Sequence, residues 1–159
     1  MPRVTDSTFY VGIDPGQSGG LALLGNGYGV VSLVPIPSSY KDLLDWFLGA
    51  EQEAFAVIER VHSMPKQGVA SSFTFGKGVG ALLMALTAAK IPHEEIDPRK
   101  WQKGLGITPR KKGEAKPQFK KRLQAFAEKL FPRTEGITMA TCDALLISEF
   151  CRRYREGKL

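Results

Sequence analysis

The stretch "AFAVIE", Ala54–Glu59, constrains this chain most. It is too short for a helix, and it is apolar at nearly every position rather than at alternate ones. Such a run suits a central strand buried on both faces of a sheet. Two more strands are expected at Thr8–Asp14 and Gly19–Leu24, and a third at Gly29–Val34 beyond a tight turn at Gly25-Asn26-Gly27. These three form an antiparallel meander. "PIPSS" breaks the pattern, and Tyr40–Leu48 follows as a short helix with Ser39 as its N-cap. Val69–Lys90 reads as a long helix dotted with Gly and Ala, and His93–Ile96 as a fifth strand halted at Asp97-Pro98. A mixed loop follows. Then come a basic helix with Pro117 in its first turn and a last helix over Met139–Arg153. The expected fold class is α/β: one domain over 1–159, with a five-stranded mixed sheet, its first three strands antiparallel, flanked by helices.

Charge is concentrated. Of a net +6, the segment from Arg110 to Arg133 carries nine Lys/Arg and two Glu, a balance of +7, which leaves −1 for everything else. A concentrated basic segment points to a polyanion partner, although a solvated helix face has the same composition. The only cysteines, Cys142 and Cys151, lie nine positions apart in one expected helix, which is neither a disulfide framework nor a zinc motif. No apolar stretch approaches the about 18–20 residues of a membrane span. The N-terminus runs straight into a strand, with no signal-peptide pattern. The expectation is a cytoplasmic protein with reduced thiols and no membrane partner.

Three carboxylates interrupt apolar runs: Asp14 ends the first strand, Glu59 ends "AVIE", and Asp143 stands in "TCDALLI". Ionised carboxylates are rarely buried without partners. If the first and fourth strands are parallel neighbours, Asp14 and Glu59 emerge at one sheet edge, and a final helix packed there adds Asp143. Crowded carboxylates repel, and a divalent cation relieves them. Two Mg²⁺ or Mn²⁺ ions about 3.5–4 Å apart would suit phosphodiester hydrolysis by an activated water. On that reading the glycines after Asp14 let a phosphate backbone approach. Each carboxylate also has an ordinary explanation: a turn cap for Asp14, an ion pair with Arg60 or a lysine for Glu59, a helix-dipole charge for Asp143.

The segments "YVGIDPGQSGGLALL", "AVIERVHSMPKQG", "SSFTFGKGVGALLMAL", "IDPRKWQKGLGI" and "CDALLISEFCRR" stand in an order and spacing that resemble the RuvC-type Holliday junction resolvases, in particular their bacteriophage branch. The resemblance spans nearly the whole chain. It implies a ribonuclease H-like fold, a homodimer and metal-dependent incision of branched DNA such as four-way junctions. The family's metal-binding acids fall on Asp14, Glu59 and Asp143. A fourth ligand, acidic or histidine, usually stands about one helical turn before the last aspartate; here those positions are Ala140, Met139 and Thr138. The outcomes left open are a second metal site completed by Glu135 or by water, a weakened second site, or a poor catalyst. The helix over Val69–Lys90 resembles the family's dimer helix.

Lys66 and Gln67 border the expected site. Arg99, Lys100 and Lys103 flank Trp101, and Lys111, Lys112, Lys116, Lys120 and Lys121 make up the basic face. Together they are the candidate DNA contacts, the kind that give salt-sensitive affinity with little sequence information. Trp101 and Phe73 either stack on unpaired bases or belong to the core. His62 either touches DNA or metal or is a surface residue. "GKGVG" is no phosphate loop, because Gly78 stands where Ser or Thr is required. The expected function is a metal-dependent, structure-selective endonuclease. The alternatives are a junction-binding protein with little cleavage, or a sugar-kinase or actin-like ATPase. The last needs a second domain that 159 residues hardly supply.

Overall fold

The structure is a computed structural model and describes residues 9–27, 29–50, 53–62 and 66–159. Ten elements follow one another: β1 (Phe9–Asp14), β2 (Gly20–Gly25), β3 (Gly29–Pro35), α1 (Tyr40–Gly49), β4 (Ala54–Glu59), α2 (Val69–Ala88), β5 (His93–Ile96), α3 (Pro98–Gly104), α4 (Lys116–Leu130) and α5 (Cys142–Arg155). The strands form one sheet in the order β3-β2-β1-β4-β5. β1 pairs antiparallel with β2 and β2 with β3, whereas β4 runs parallel to β1 and β5 to β4. The expected mixed sheet with an antiparallel first half is therefore present. Position 8 and the loop residues 63–65 lie outside the described residues.

Alternation along the strands builds two cores. Val11, Ile13, Ala56 and Ile58 face α1 and α2, meeting Leu43, Phe47, Leu82 and Leu86. Tyr10, Phe55 and Val57 face the other way, against Trp101, Leu123, Leu145 and Phe150. Ser39 caps α1 as expected, its hydroxyl accepting from the Asp42 N–H at 3.0 Å.

Three expectations need correction. The stretch after Asp97 is a helix, α3, rather than a mixed loop. Its seven residues are too few to show a period, but Pro98 in its first turn marks the start. The last helix begins at Cys142 rather than Met139. The Thr141 hydroxyl donates to the Gly136 carbonyl at 2.6 Å and accepts from the Thr138 N–H at 2.9 Å, so this turn ties up the backbone groups a longer helix would use. Finally, α2 has the length and composition of a membrane span, 20 residues at a mean hydropathy of 1.4. Val, Phe, Leu, Met and Ala raise its average, while Ser, Thr, Gly and a single charge, Lys77, interrupt the run.

Candidate active site at the carboxylate edge of the sheet

Asp14 leaves β1 into Pro15 and Gly16, and the chain turns back to pair Gly20 with Asp14. Gly19 N–H donates to the Gly16 carbonyl at 3.1 Å, closing the turn. Gly16 holds φ +118°, where a side chain is strained, and a Cβ on Gly19 would stand 1.9 Å from the Asp14 carbonyl oxygen. These glycines therefore serve the turn that fixes Asp14. That accounts for them without the phosphate approach expected of them.

The parallel register Ile13↔Ile58 brings the next residues, Asp14 and Glu59, to the same C-terminal edge. Arg60 does not pair with Glu59; it lies 3.6 Å from Asp97. Glu59 is held instead by Trp101, whose indole N–H donates to Oε2 at 2.7 Å. Trp101 is fully buried, so it belongs to the core and is not a base-stacking surface.

Asp143 reaches this edge because α5 lies directly on β1. A Cβ on Gly12 would come within 2.1 Å of the Ala144 carbonyl oxygen and 2.3 Å of the Ser148 nitrogen. The hydrogen side chain of Gly12 is thus what lets the helix settle. Asp143 stands in the first turn of α5, where the helix dipole favours a negative charge. The Cys142 thiol donates to its Oδ1 at 3.4 Å. Burial, then the neighbouring Asp143 carboxylate, push that thiol up to about 12, so Cys142 stays protonated.

A fourth side chain joins from α4. The Lys120 ammonium donates to Asp143 Oδ2 at 2.5 Å and lies 3.7 Å from Asp14 Oδ2. All three groups are mostly covered, with 26% of the Lys120 side chain and 13% of each aspartate exposed. Burial, then repulsion from Asp143 and Glu59, raise the Asp14 carboxyl to about 8, against the pull of Lys120. Burial lifts Glu59 to about 7, although the Trp101 hydrogen bond opposes it. Burial pulls Lys120 down, yet Asp143 and Asp14 outweigh this and leave its pKa raised, so it stays charged.

Hard carboxylate oxygens crowded at one rigid edge are the donor set for Mg²⁺ or Mn²⁺. Among the described residues, however, no three acidic, histidine or cysteine side chains close into a complete ligand shell. The cation already shared by Asp14 and Asp143 is Lys120. The donors fit a divalent ion chemically, without a ready-made enclosure for one among the described residues.

The remaining candidates divide. Glu135 is exposed in the loop between α4 and α5, and nothing draws it to the other three acids. Arg99, Lys100, Lys103, Lys111, Lys112, Lys116 and Lys121 are exposed, as is Lys66 on the loop before α2. Lys100 extends over the Tyr154 ring, 5.3 Å from its centre. Gln67 lines a cavity of about 330 Å³ with Gln17, Ser71 and Phe75. Phe73 is exposed on α2, and His62 faces Asp97 at 3.8 Å. Arg122, which the sequence did not single out, forks onto Glu114 and donates to the Thr108 and Pro109 carbonyls, pinning the basic loop to α4.

No protein-family model matches the chain, and no curated protein matches it. Among solved structures it is similar to Thermus thermophilus RuvC in complex with Holliday junction substrate. The TM-score is 0.62 at 16% identity, over 93% of this chain and 96% of that one. It is also similar to a second Thermus thermophilus RuvC structure, with a TM-score of 0.58 at 18% identity over the same shares. The fold of this chain is accordingly the RuvC-like, ribonuclease H-like one, with its five-stranded mixed sheet between helices.

Proposed function

We propose that this protein is a metal-dependent endonuclease that resolves Holliday junctions and related branched DNA, of the RuvC type and its bacteriophage branch. The observation that carries the reading is the meeting of Asp14, Glu59 and Asp143 at one sheet edge, from three elements far apart in sequence, within a RuvC-like fold. The three carboxylates would hold Mg²⁺ or Mn²⁺, which when bound supplies an activated water and neutralises charge at the phosphodiester. The chain's own part is positional. β1 and β4 fix Asp14 and Glu59 side by side, Trp101 orients Glu59, and the Gly12 contact sets Asp143. The exposed lysines and arginines of α3, α4 and the loop between them supply phosphate contacts that hold the branched backbone over this edge.

Paired cuts on a two-fold junction call for two sites related by the same symmetry. α2 supports a homodimer. Val69, Phe73 and Met84 are exposed on it, and Gly76, Gly78 and Gly80 have open space where a Cβ would stand. A second reading, a junction-binding protein with little cleavage, draws on Ala140 in place of the usual fourth ligand and on the Lys120 ion pair.

The test is a labelled mobile four-way junction with Mg²⁺ or Mn²⁺, beside a linear duplex and Asp14→Asn. Paired nicks confined to the junction, lost in the variant while junction binding persists, are the expected result. Tight junction binding with no cutting in either metal would replace the nuclease by the binding protein.

A further inference from the structure

We infer that the basic loop between α3 and α4 is a preformed grip for a DNA backbone, with Arg110, Lys111 and Lys112 as its phosphate contacts and Arg122 as the positioning residue that holds it through Glu114. This rests on the reading above only in taking DNA as the partner. Glu114 is the one acid between Arg110 and Lys121. A carboxylate there weakens the pull of the loop on a polyanion, so charge alone does not account for it. Its contacts do. The Arg122 guanidinium forks onto it, Nε donating to Oε2 at 3.1 Å and Nη2 to Oε1 at 3.0 Å. The Lys111 N–H donates to the same Oε1 at 3.0 Å. The Glu114 N–H returns to the Lys111 carbonyl at 3.0 Å, across a turn in which Gly113 holds φ +84°.

Arg122 fastens the other arm of the loop as well. Nη1 donates to the Thr108 carbonyl at 2.8 Å and Nη2 to the Pro109 carbonyl at 3.2 Å. The guanidinium lies 4.8 Å from the centre of the Phe119 ring, and the next residue on α4, Leu123, is buried. The loop leaves the core at Ile107, also buried, and enters α4 at Ala115, whose N–H donates to the Gln118 side chain at 3.0 Å. An isolated surface ion pair contributes little, but a bidentate fork that also binds two carbonyls fixes geometry. Arg122 therefore spends its fork inside the protein, whereas Arg110, Lys111 and Lys112 are exposed on the segment it holds. Ordering a loop on binding costs affinity, and a loop ordered beforehand avoids that cost.

The test sets geometry against charge. Glu114→Ala removes a negative charge, and charge alone would make it bind a four-way junction more tightly. Loss of the clamp should instead weaken binding about three- to tenfold. Arg122→Lys keeps the charge but not the fork, and should weaken binding to the same extent. Equal or tighter binding by either variant overturns the inference while leaving the nuclease intact. A parent chain that binds no junction overturns the DNA reading, and this inference with it. Trypsin reads the clamp without DNA. Cleavage after Arg110, Lys111 and Lys112 should be about tenfold faster in both variants, with cleavage after the exposed Arg133 unchanged as the internal control. Equal rates at the loop, or an equal gain at Arg133, would reduce the Arg122 pair to general stability and overturn the inference.

Discussion

The two helical layers covering the sheet are built to different standards. α5 has 14 residues and buries ten in succession, Cys142–Cys151. α2 has 20 residues and buries three, Leu82, Ala85 and Leu86. α5 packs directly on β1, β2 and β4, whereas α2 packs chiefly on α1 and reaches the sheet core through Leu82, Ala85 and Leu86. The closed layer carries an acid of the candidate site, and the placement of Asp143 is only as good as the seating of α5. The open layer carries none of the three acids and presents apolar and small residues outward. On the proposed reading, chemistry sits on the more deeply buried layer, and the uncovered one is left for a second copy.

The sharpest way to break this contrast is Gly12→Ala. The added carbon meets α5 backbone, which cannot rotate away as a side-chain tip could. Overpacking of this kind costs about 1–3 kcal/mol or more, and for a chain of this size the melting temperature should fall by about 5–10 °C. Junction cutting should fall further than stability alone explains, because Asp143 moves with α5. A variant that melts and cuts like the parent would show that the helix is not seated through Gly12.

At the edge of the closed layer, pH is the next lever. Asp14 titrates at about 8 and Glu59 at about 7 in the folded, metal-free protein. In the unfolded chain both ionise near pH 4. Between those values the folded state holds protons that the unfolded state has released, so stability falls as pH rises from about 4 to about 8. Melting in chelator should therefore drop across this window, and Mn²⁺ should abolish the drop by binding the ionised carboxylates. Asp14→Asn removes the larger part of the penalty and should melt several degrees above the parent at pH 8 without metal, about 5 °C. A flat profile in chelator would mean that neither burial nor crowding holds protons on these carboxylates.

Much of this arrangement was legible in the sequence, for a definite reason. β1 and β4 are apolar runs ended by acids, and a parallel pairing of runs of equal length leaves their ends adjacent. That places Asp14 and Glu59 side by side from the sequence alone. Asp143 was legible because one acid in "TCDALLI" breaks an otherwise apolar helix. What escaped notice was supplied by residues with an innocent local explanation. Trp101 lies in a seven-residue helix too short for periodicity, and its hydrogen bond to Glu59 spans 42 positions. Lys120 is one of several lysines on α4, and only the packing of Leu123 shows which of them turns inward. Glu135 was the reverse case, near Asp143 in sequence but exposed in the loop before α5.

Trp101→Phe probes that hidden support with a milder change. The ring is kept and the N–H is lost. Loss of a partner that orients a metal ligand typically costs about 10–100-fold in metal affinity or activity, and a loss in that range is expected in junction cutting with the fold retained. The Trp101 hydrogen bond lowers the Glu59 pKa, so its loss should raise that pKa and shift the alkaline rise of cutting to higher pH. A uniform loss with no shift in the pH profile would reduce Trp101 to packing.

The smallest expected effect returns to the open layer. Gly78 lies within α2, and a Cβ there would meet nothing within 4 Å. Gly→Ala at such a helical position is worth about 0.5–1 kcal/mol of stability, opposite in sign to Gly12→Ala. Gly78→Ala should therefore raise the melting temperature of dilute protein by about 2 °C. If α2 meets a second copy closely through its small residues, the same methyl should loosen the dimer, which sedimentation at graded concentrations would read as a weaker association constant. Stabilised chains that associate as before would keep α2 as an open helix but move the partner contact off its glycines, towards Val69, Phe73 and Met84. The two glycines then separate the layers by sign: one is needed for the chain to close on itself, the other costs the lone chain stability, a cost that the proposed dimer would explain.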